Sequence, residues 1–255
     1  MVYGLQKRRA PMADVDTLCG WGAQDKVDYF VEKSDLIIPK RHEQLSFLVE
    51  LFPWQGDEPI RVLDLGAGYG AVTEAVLLRY SRATVTCVDG SEAMLQHARP
   101  RLAQYGAQVQ LLLRDLAEPT WHVGLSGPFH AAVSAIALHH LTDGRKQQLC
   151  REVFDLLLPS GLFLNDDVVE APPFFEEHFA NLADRAIQAQ ERARTGKVRS
   201  IEEIRAERAA RLRPAGQRSH VAPLSAQLDW WRAAGFTSVD CYWKFLNLAI
   251  FGGVK

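Results

Sequence analysis

Cysteine is scarce in this chain: Cys19, Cys87, Cys150 and Cys241 are spread through 255 residues and form no C-x-x-C pair. That excludes a disulfide-stapled scaffold and a cysteine zinc site, and it fits a reducing cytoplasm. Net charge is nearly absent as well. A formal value of −2, from 29 basic and 31 acidic residues, does not mark the chain as a whole as a nucleic-acid binder. No apolar run is long enough to cross a bilayer, and Lys7-Arg8-Arg9 is followed by no apolar stretch of signal-peptide length. The expectation is a cytoplasmic protein without a membrane anchor, with residues 1–22 as a flexible tail and Met12 as an alternative start. What is left is an ordinary globular composition, long enough for one large domain or a domain with an inserted cap.

The stretch that organises the rest is Arg61-Val-Leu-Asp-Leu-Gly-Ala-Gly-Tyr-Gly70. An apolar run ends in Asp64, a G-x-G-x-G turn follows, and a helical pattern opens near Ala71. Strand, glycine loop and helix in that order hold a nucleotide at the carboxyl edge of a doubly wound sheet, although an isolated loop of this kind is also an ordinary tight turn. Further strands then recur at regular intervals. They are Thr84 to Val88 ending at Asp89, Gln108 to Leu113 ending at Asp115, Phe129 to Ile136, and a fifth opening at Leu162 after the Pro159-Ser-Gly161 turn. Helix-length segments separate them, which predicts parallel βαβ units. Ser91 is placed to cap the helix that runs to Tyr105.

Upstream, residues 23–52 read as two helices split at Pro39. Downstream of Pro172-Pro173, a helical stretch from Phe174 to about Arg213, broken near Thr195-Gly196, reads as a cap covering residues 172–217. A helix over Leu224–Ala234 follows, then two strand-like runs, Ser238–Phe245 and Leu248–Phe251. The gap between these runs is too short for a parallel crossover, so they form an antiparallel hairpin. The predicted fold is therefore α/β: a Rossmann-like, seven-stranded, mostly parallel sheet with an antiparallel last strand, N-terminal helices and a helical cap. The expected core is residues 57–171, completed by residues 218–255, with residues 23–56 forming part of a lid.

These features resemble the class I S-adenosyl-L-methionine (SAM)-dependent methyltransferases. The resemblance rests on Val62–Gly70, Val88-Asp-Gly-Ser-Glu-Ala-Met-Leu95, Arg114-Asp-Leu116, Ala135-Ile-Ala-Leu-His-His-Leu141 and Leu157–Leu164, in order and spacing, and on the terminal hairpin. A narrower stretch, Phe30 to Leu45 with the tail from Ala234, is similar to carboxy-SAM synthase. The resemblance implies SAM as cofactor, S-adenosyl-L-homocysteine (SAH) as product and methyl transfer to a small molecule. Two alternatives stand beside it: a carboxy-SAM synthase-like activity, and a non-catalytic SAM-binding protein whose arginine-rich cap docks RNA or a partner. A nicotinamide dehydrogenase shares the glycine loop but not the terminal hairpin.

On that resemblance, Asp64 faces the methionine amino group, and Gly66, Ala67, Gly68 and Gly90 join the cofactor-binding set. Asp89 is placed to accept both ribose hydroxyl hydrogens, as an acidic residue does there in dinucleotide folds. Met94 packs on an adenine face or is simply core, and Asp115 with Leu116 meets the adenine edge. Ser134, Ala135 and Ile136 end strand four, where methyl group and acceptor meet. His139 and His140 are the catalytic candidates: one is a general base or positioning group, or else one faces solvent and the other packs. Tyr29 and Phe30 form an aromatic lid over the sulfonium or belong to the core. Asn165-Asp166-Asp167 reads as a solvated strand end, and no metal is expected. The cap arginines, from Arg185 to Arg218, read as salt-bridged exposed helix in preference to an RNA surface.

Overall fold

The computed structural model describes residues 21–212 and 220–255. The expected N-terminal tail, apart from residues 21 and 22, and Arg213 and Arg218 of the cap lie outside the described residues. Two helices come first, α1 (Gln24–Ile37) and α2 (Arg41–Glu50), parted at Pro39 as the sequence predicts. The alternating core follows: β1 (Arg61–Leu65), α3 (Ala71–Arg79), β2 (Thr84–Asp89), α4 (Glu92–Leu102), β3 (Val109–Leu113), β4 (Phe129–Ala135), α5 (Asp143–Leu156) and β5 (Leu157–Val168). Then come α6 (Glu176–Thr195), α7 (Ile201–Leu212), α8 (Leu224–Ala234), β6 (Thr237–Phe245) and β7 (Leu248–Val254).

The strands form one sheet in the order β3-β2-β1-β4-β5-β7-β6. Only β7 runs against the rest, pairing antiparallel with both β5 and β6. Strand order reverses between β1 and β4, and ligands of such sheets sit beyond the carboxyl ends of the strands at that reversal. Both faces are covered. Val62, Val85, Val133 and Leu164 pack under α2 and α3 with Leu48, Val49, Val72 and Val76. Leu63, Leu65, Val88 and Phe163 pack on the other face with Leu149 and Val153 of α5 and Trp231 of α8. Burial on both faces explains why the strands read as nearly unbroken apolar runs.

Two boundaries differ from expectation. Strand β5 begins at Leu157, not Leu162: Phe129 pairs with Leu157 and Ala131 with Leu162, so the Pro159-Ser-Gly161 turn is a bulge inside a paired strand. Ser160 takes φ 63° there. Helix α4 stops at Leu102 instead of Tyr105, because the chain tightens into a 3₁₀ turn over Ala103–Gln108 that contains Gly106 at φ 51°. Its start is as read: Ser91 Oγ accepts from the Met94 amide at 3.1 Å.

The cap is two helices broken at Gly196, which sits at φ 71°. Within it Asp184 accepts from Arg205 at 2.6 Å and Arg208 at 2.9 Å, and Arg199 joins Glu191 to Glu207. These arginines are engaged in internal ion pairs. Gln190 of α6 reaches across to the α1–α2 turn, where its Oε1 accepts from the Lys40 amide at 3.2 Å and its Nε2 donates to the Ile38 carbonyl at 3.1 Å. Among the described residues no helix is long and apolar enough to cross a membrane.

Candidate active site at the carboxyl edge of the sheet

The loop between β1 and α3 is built on three left-handed glycines, Gly66 (φ 68°), Gly68 (φ 55°) and Gly70 (φ 85°). Its amides are fixed from β2: Gly66 and Ala67 donate to the Val88 carbonyl at 2.8 and 3.0 Å, and Gly68 donates to Asp89 Oδ2 at 2.7 Å. A Cβ on Gly66 would lie 2.4 Å from the Ala137 Cβ, so this loop rests directly on the turn after β4. A Cβ on Gly68 would meet nothing nearer than Met94 Sδ at 3.9 Å, which leaves the loop open to a ligand on that side.

Three carboxylates gather around the loop, one from each of the strand ends β1, β2 and β3. Asp64 is fully buried; its Oδ2 accepts from Thr73 Oγ1 at 2.6 Å, and its Oδ1 has no hydrogen-bond partner. Burial pushes its pKa up to about 7, with the nearby Asp89 adding to the effect. Asp89 is itself raised to about 6, first by burial and also by Asp115, while the Ser91 and Gly68 amides pull the other way. Asp89 is thus within electrostatic reach of Asp64 on one side and of Asp115 on the other. Asp115 Oδ1 accepts from the Ala117 amide at 2.8 Å, and the buried Leu116 gives its carbonyl to Arg145 Nε at 2.6 Å. Gly90 joins Asp89 to the Ser91 cap, and Met94 is buried beside Val27, Tyr69 and Ala71.

The strand ends β4 and β5 carry the rest. Ser134 is buried, and its hydroxyl is spent on the Leu65 carbonyl at 2.8 Å. Ile136 holds φ 54°, a conformation that β-branched residues rarely adopt, and its amide donates to the Asp166 carbonyl at 2.7 Å. Next comes a short 3₁₀ turn, Leu138–His140. His139 Nδ1 lies 2.6 Å from Asp167 Oδ1, and the His139 amide donates to Asp167 Oδ2 at 2.9 Å. Burial alone would raise the pKa of Asp167, but His139 and the Val168 amide outweigh it and hold the carboxyl below the usual range. An ionised Asp167 only accepts, so His139 Nδ1 carries a proton, and the neutral form of this ring is the tautomer with its lone pair on Nε2.

His140 is different. Trp21 Nε1 donates to His140 Nε2 at 2.9 Å, and burial pushes the imidazole pKa down to about 3. Its lone pair is already used. The two histidines named from sequence thus differ in their partners: His139 Nδ1 is engaged by Asp167, and His140 Nε2 by Trp21.

One expectation is overturned outright. Asn165, Asp166 and Asp167 do not form a solvated strand end, because all three are at most 1% exposed. They sit on a central strand flanked by β4 and β7, with α2 and the 138–140 turn laid over its end. Asp166 is pushed to about 7, mainly by burial. Sequence reasoning also passed over Arg41, which is buried on α2 beside Asp64 and Asp166. Its only signal was its place after Pro39 at a helix start, too slight to single it out.

Tyr29 packs with Phe30, Ile37, Ile38, Ile136 and Leu248, so it stands near the end of β4. Burial, then the charge of Glu207 on the cap and a hydrogen bond to it, raises its phenol to about 12. Phe30 meets Trp21 edge-on at 5.0 Å and Tyr69 at 6.1 Å. The chemistry of these residues suits the sulfonium nucleoside that the sequence resemblance implies. It offers an open glycine loop, carboxylates for hydroxyl and amino hydrogens, and at Asp64 a buried acceptor without a donor.

Comparison with known proteins agrees. Residues 62–161 match the family model described as "Methyltransferase domain". Trans-aconitate 2-methyltransferase of Variovorax paradoxus (strain S110) is 35% identical over 133 residues, covering 52% of this chain and 46% of that protein. Carboxy-S-adenosyl-L-methionine synthase of Nautilia profundicola is 22% identical over 127 residues, covering 50% of this chain and 52% of that protein. The aligned region thus spans about half the length of each of these curated relatives. An O-methyltransferase family protein from Burkholderia thailandensis shares the fold with a TM-score of 0.62 at 16% identity, over 91% of this chain and 59% of that one. Residues 62–161 thus match a methyltransferase domain, within a fold that this chain shares with a solved O-methyltransferase family protein.

Proposed function

We propose that the protein transfers a methyl group from SAM to a small-molecule acceptor that must lose a proton, such as a hydroxyl or amine. The observation that carries this reading is the turn after β4. It supports the glycine loop through Ala137 against Gly66, and two residues later it fixes His139 on Asp167. Cofactor loop and base are thus held by one piece of backbone. When bound, SAM supplies an electrophilic methyl on a sulfonium, already a good leaving group. The chain's own contribution is alignment and exclusion of water, and such positioning can remove roughly 7–11 kcal/mol of barrier. His139 Nε2 takes the acceptor proton, and Asp167 holds the tautomer and stabilises the imidazolium. A base of this kind contributes about 10²–10⁴-fold. An acceptor ionised at neutral pH, such as a carboxylate, has no use for it.

The test is to titrate the protein with SAH and with NAD, then measure SAH release from SAM across phenols, amines and carboxylic acids. SAH binding without NAD binding, with turnover on protonated acceptors, is expected. Asp167→Asn is expected to slow turnover about 10²-fold or more while leaving SAH affinity intact, and the deficit should shrink for acceptors that ionise unaided. Binding of NAD but not SAH would overturn the reading.

A further inference from the structure

Lysine is almost never fully buried unless it is paired, and a cation in the first turn of a helix opposes the helix dipole. Lys146 stands against both rules: it lies in the first turn of α5 and is 3% exposed. Its ammonium donates to Asp143 Oδ1 at 3.0 Å and to the His220 carbonyl, and it lies 5.7 Å from the ring centre of Trp230. Asp143 is half exposed, so that pair is screened by solvent and gives no reason to draw the lysine inward. The His220 carbonyl does.

His220 opens the stretch that leads from the cap to α8. Its amide donates to the His139 carbonyl at 2.7 Å, while its carbonyl receives Lys146. The residue is therefore gripped on both of its peptides, between the turn after β4 and the start of α5. Two residues later the Ala222 carbonyl accepts from the Glu170 amide at 3.0 Å and from Gln227 Nε2 at 3.1 Å. The stretch over 220–222 is thus stitched to the chain entering the cap, to α8 and to the turn that carries His139.

That turn has little support of its own. It is a 3₁₀ piece over Leu138–His140, with bonds from the His140 amide at 3.2 Å and the Leu141 amide at 3.0 Å. Hydrogen-bond geometry in such pieces is poorer than in an α-helix, so outside contacts decide where the turn stands. Asp167 takes the amide and the imidazole of His139, and His220 takes its carbonyl. The first partner sets the tautomer and the swing of the ring. The second sets the place of the backbone that bears it. A charge-assisted bond is about twice as strong as a neutral one, and His220 is held in place by such a bond from Lys146.

We propose that Lys146 is a positioning residue for proton removal from the acceptor. Its ammonium clamps His220, His220 seats the turn, and the turn holds His139 Nε2 at the acceptor. This rests on the reading of His139 as the base, and it adds the chain returning from the cap to the mounting of that base. A misplacement of about 1 Å can cost about 10²-fold in rate, so a clamp that touches no reactant can still govern turnover.

The experiment uses Lys146→Met, which keeps the buried stem and removes the ammonium, in the full chain. Turnover is compared with wild type on phenol and on 4-nitrophenol, the second of which ionises unaided near neutrality. It is expected to fall about 10- to 100-fold on phenol and by less than about threefold on 4-nitrophenol, with SAH affinity held within about twofold. A second measurement needs no acceptor. The His139 Nδ1 proton, held on Asp167, is read by NMR as a low-field imidazole resonance that Asp167→Asn abolishes. Lys146→Met is expected to speed its exchange with water about tenfold or more, while the Trp121 indole proton, bonded to Glu152, keeps its wild-type rate. Equal losses on both phenols, or faster exchange at both protons, would show a lysine that only stabilises the fold and overturn the proposal. No change in either measurement would overturn it too. Where neither phenol is turned over, the exchange rates decide. If Lys146→Met does not fold, Lys146→Gln, which keeps a neutral donor, is judged by the same outcomes. Asp167→Asn that slows both phenols alike sinks the base reading and this proposal with it. Asp167→Asn selective for phenol, beside an unselective Lys146→Met, sinks the clamp alone.

Discussion

A carboxyl group buried without a full set of partners gives up its charge near neutrality, and Asp64 is such a group. Burial raises its pKa to about 7 in the folded protein, against 3.8 as the ordinary value. The sign of the consequence follows from proton counting. Between about pH 4 and about pH 7 the unfolded chain has lost this proton and the folded chain keeps it, so this group's stabilising contribution is whole below pH 4 and declines as pH rises to about 7. Ligand binding runs the other way. An ammonium placed against Oδ1 favours the ionised form, so SAH affinity is expected to rise with pH up to about 7 and then level off. Binding near pH 6.5 should release a proton, visible as a buffer-dependent heat in calorimetry. Asp64→Asn should flatten the pH dependence of both stability and SAH affinity, and an unchanged profile would remove Asp64 from the site. Asp64, Asp89 and Asp115 could be singled out in the sequence because each stands at or just beyond the end of an apolar strand run. Asp166, Asp167 and Arg41 could not. Their meaning depends on β7 pairing with β5 and on α2 lying over its end, and neither contact is local in sequence. Strand alternation then sends Asp167 to His139 and Asp166 to Arg41, on opposite faces.

At the scale of single elements, the glycine loop separates two roles that its spacing cannot tell apart. Gly66 and Gly68 both hold positive φ, so an alanine at either carries a left-handed strain of about 1 kcal/mol. Beyond that they differ. Alanine at 66 would drive its Cβ to 2.4 Å from Ala137, displacing the turn that carries His139. Alanine at 68 finds its nearest neighbour at 3.9 Å and intrudes only on the space left for a ligand. Gly66→Ala is therefore expected to lower Tm by several degrees more than Gly68→Ala, and to lose turnover together with stability. Gly68→Ala should keep most of the stability and lose SAH affinity tenfold or more. Thermal melts with and without SAH measure both, and a Gly68→Ala protein with full affinity would contradict the loop's assignment. The elements themselves were mostly readable from periodicity, down to the break at Gly196 and the span of α8. The bulge in β5 was not, because Pro159-Ser-Gly161 has the local chemistry of a turn, while its place in a strand is decided by β4 alongside.

For the molecule as a whole, the question is how a cap on one side can matter to a cofactor held at the strand ends. The link is Gln190. Its amide satisfies a donor at Lys40 and carbonyls at Leu36 and Ile38, which are the last residues before α2 begins at Arg41. Lys40 sits at φ 60°, so this turn is held in a conformation it would not choose unaided. The cap thus braces the turn that aims Arg41. Each such hydrogen bond is worth about 0.5–1.5 kcal/mol. Removing the amide with Gln190→Ala should let the turn relax and weaken SAH about three- to tenfold. Hydrogen exchange supplies the independent reading. SAH should slow exchange in α1, in α2 and in the second half of α6 together in wild type, while in Gln190→Ala the protection of α6 should fall away from that of α2. If SAH protects the glycine loop alone and leaves α6 unchanged in both proteins, the cap and the cofactor are independent. Coupling between two sites is reciprocal, so if the link holds, an acceptor seated under the cap must tighten SAM by the same factor that SAM tightens the acceptor.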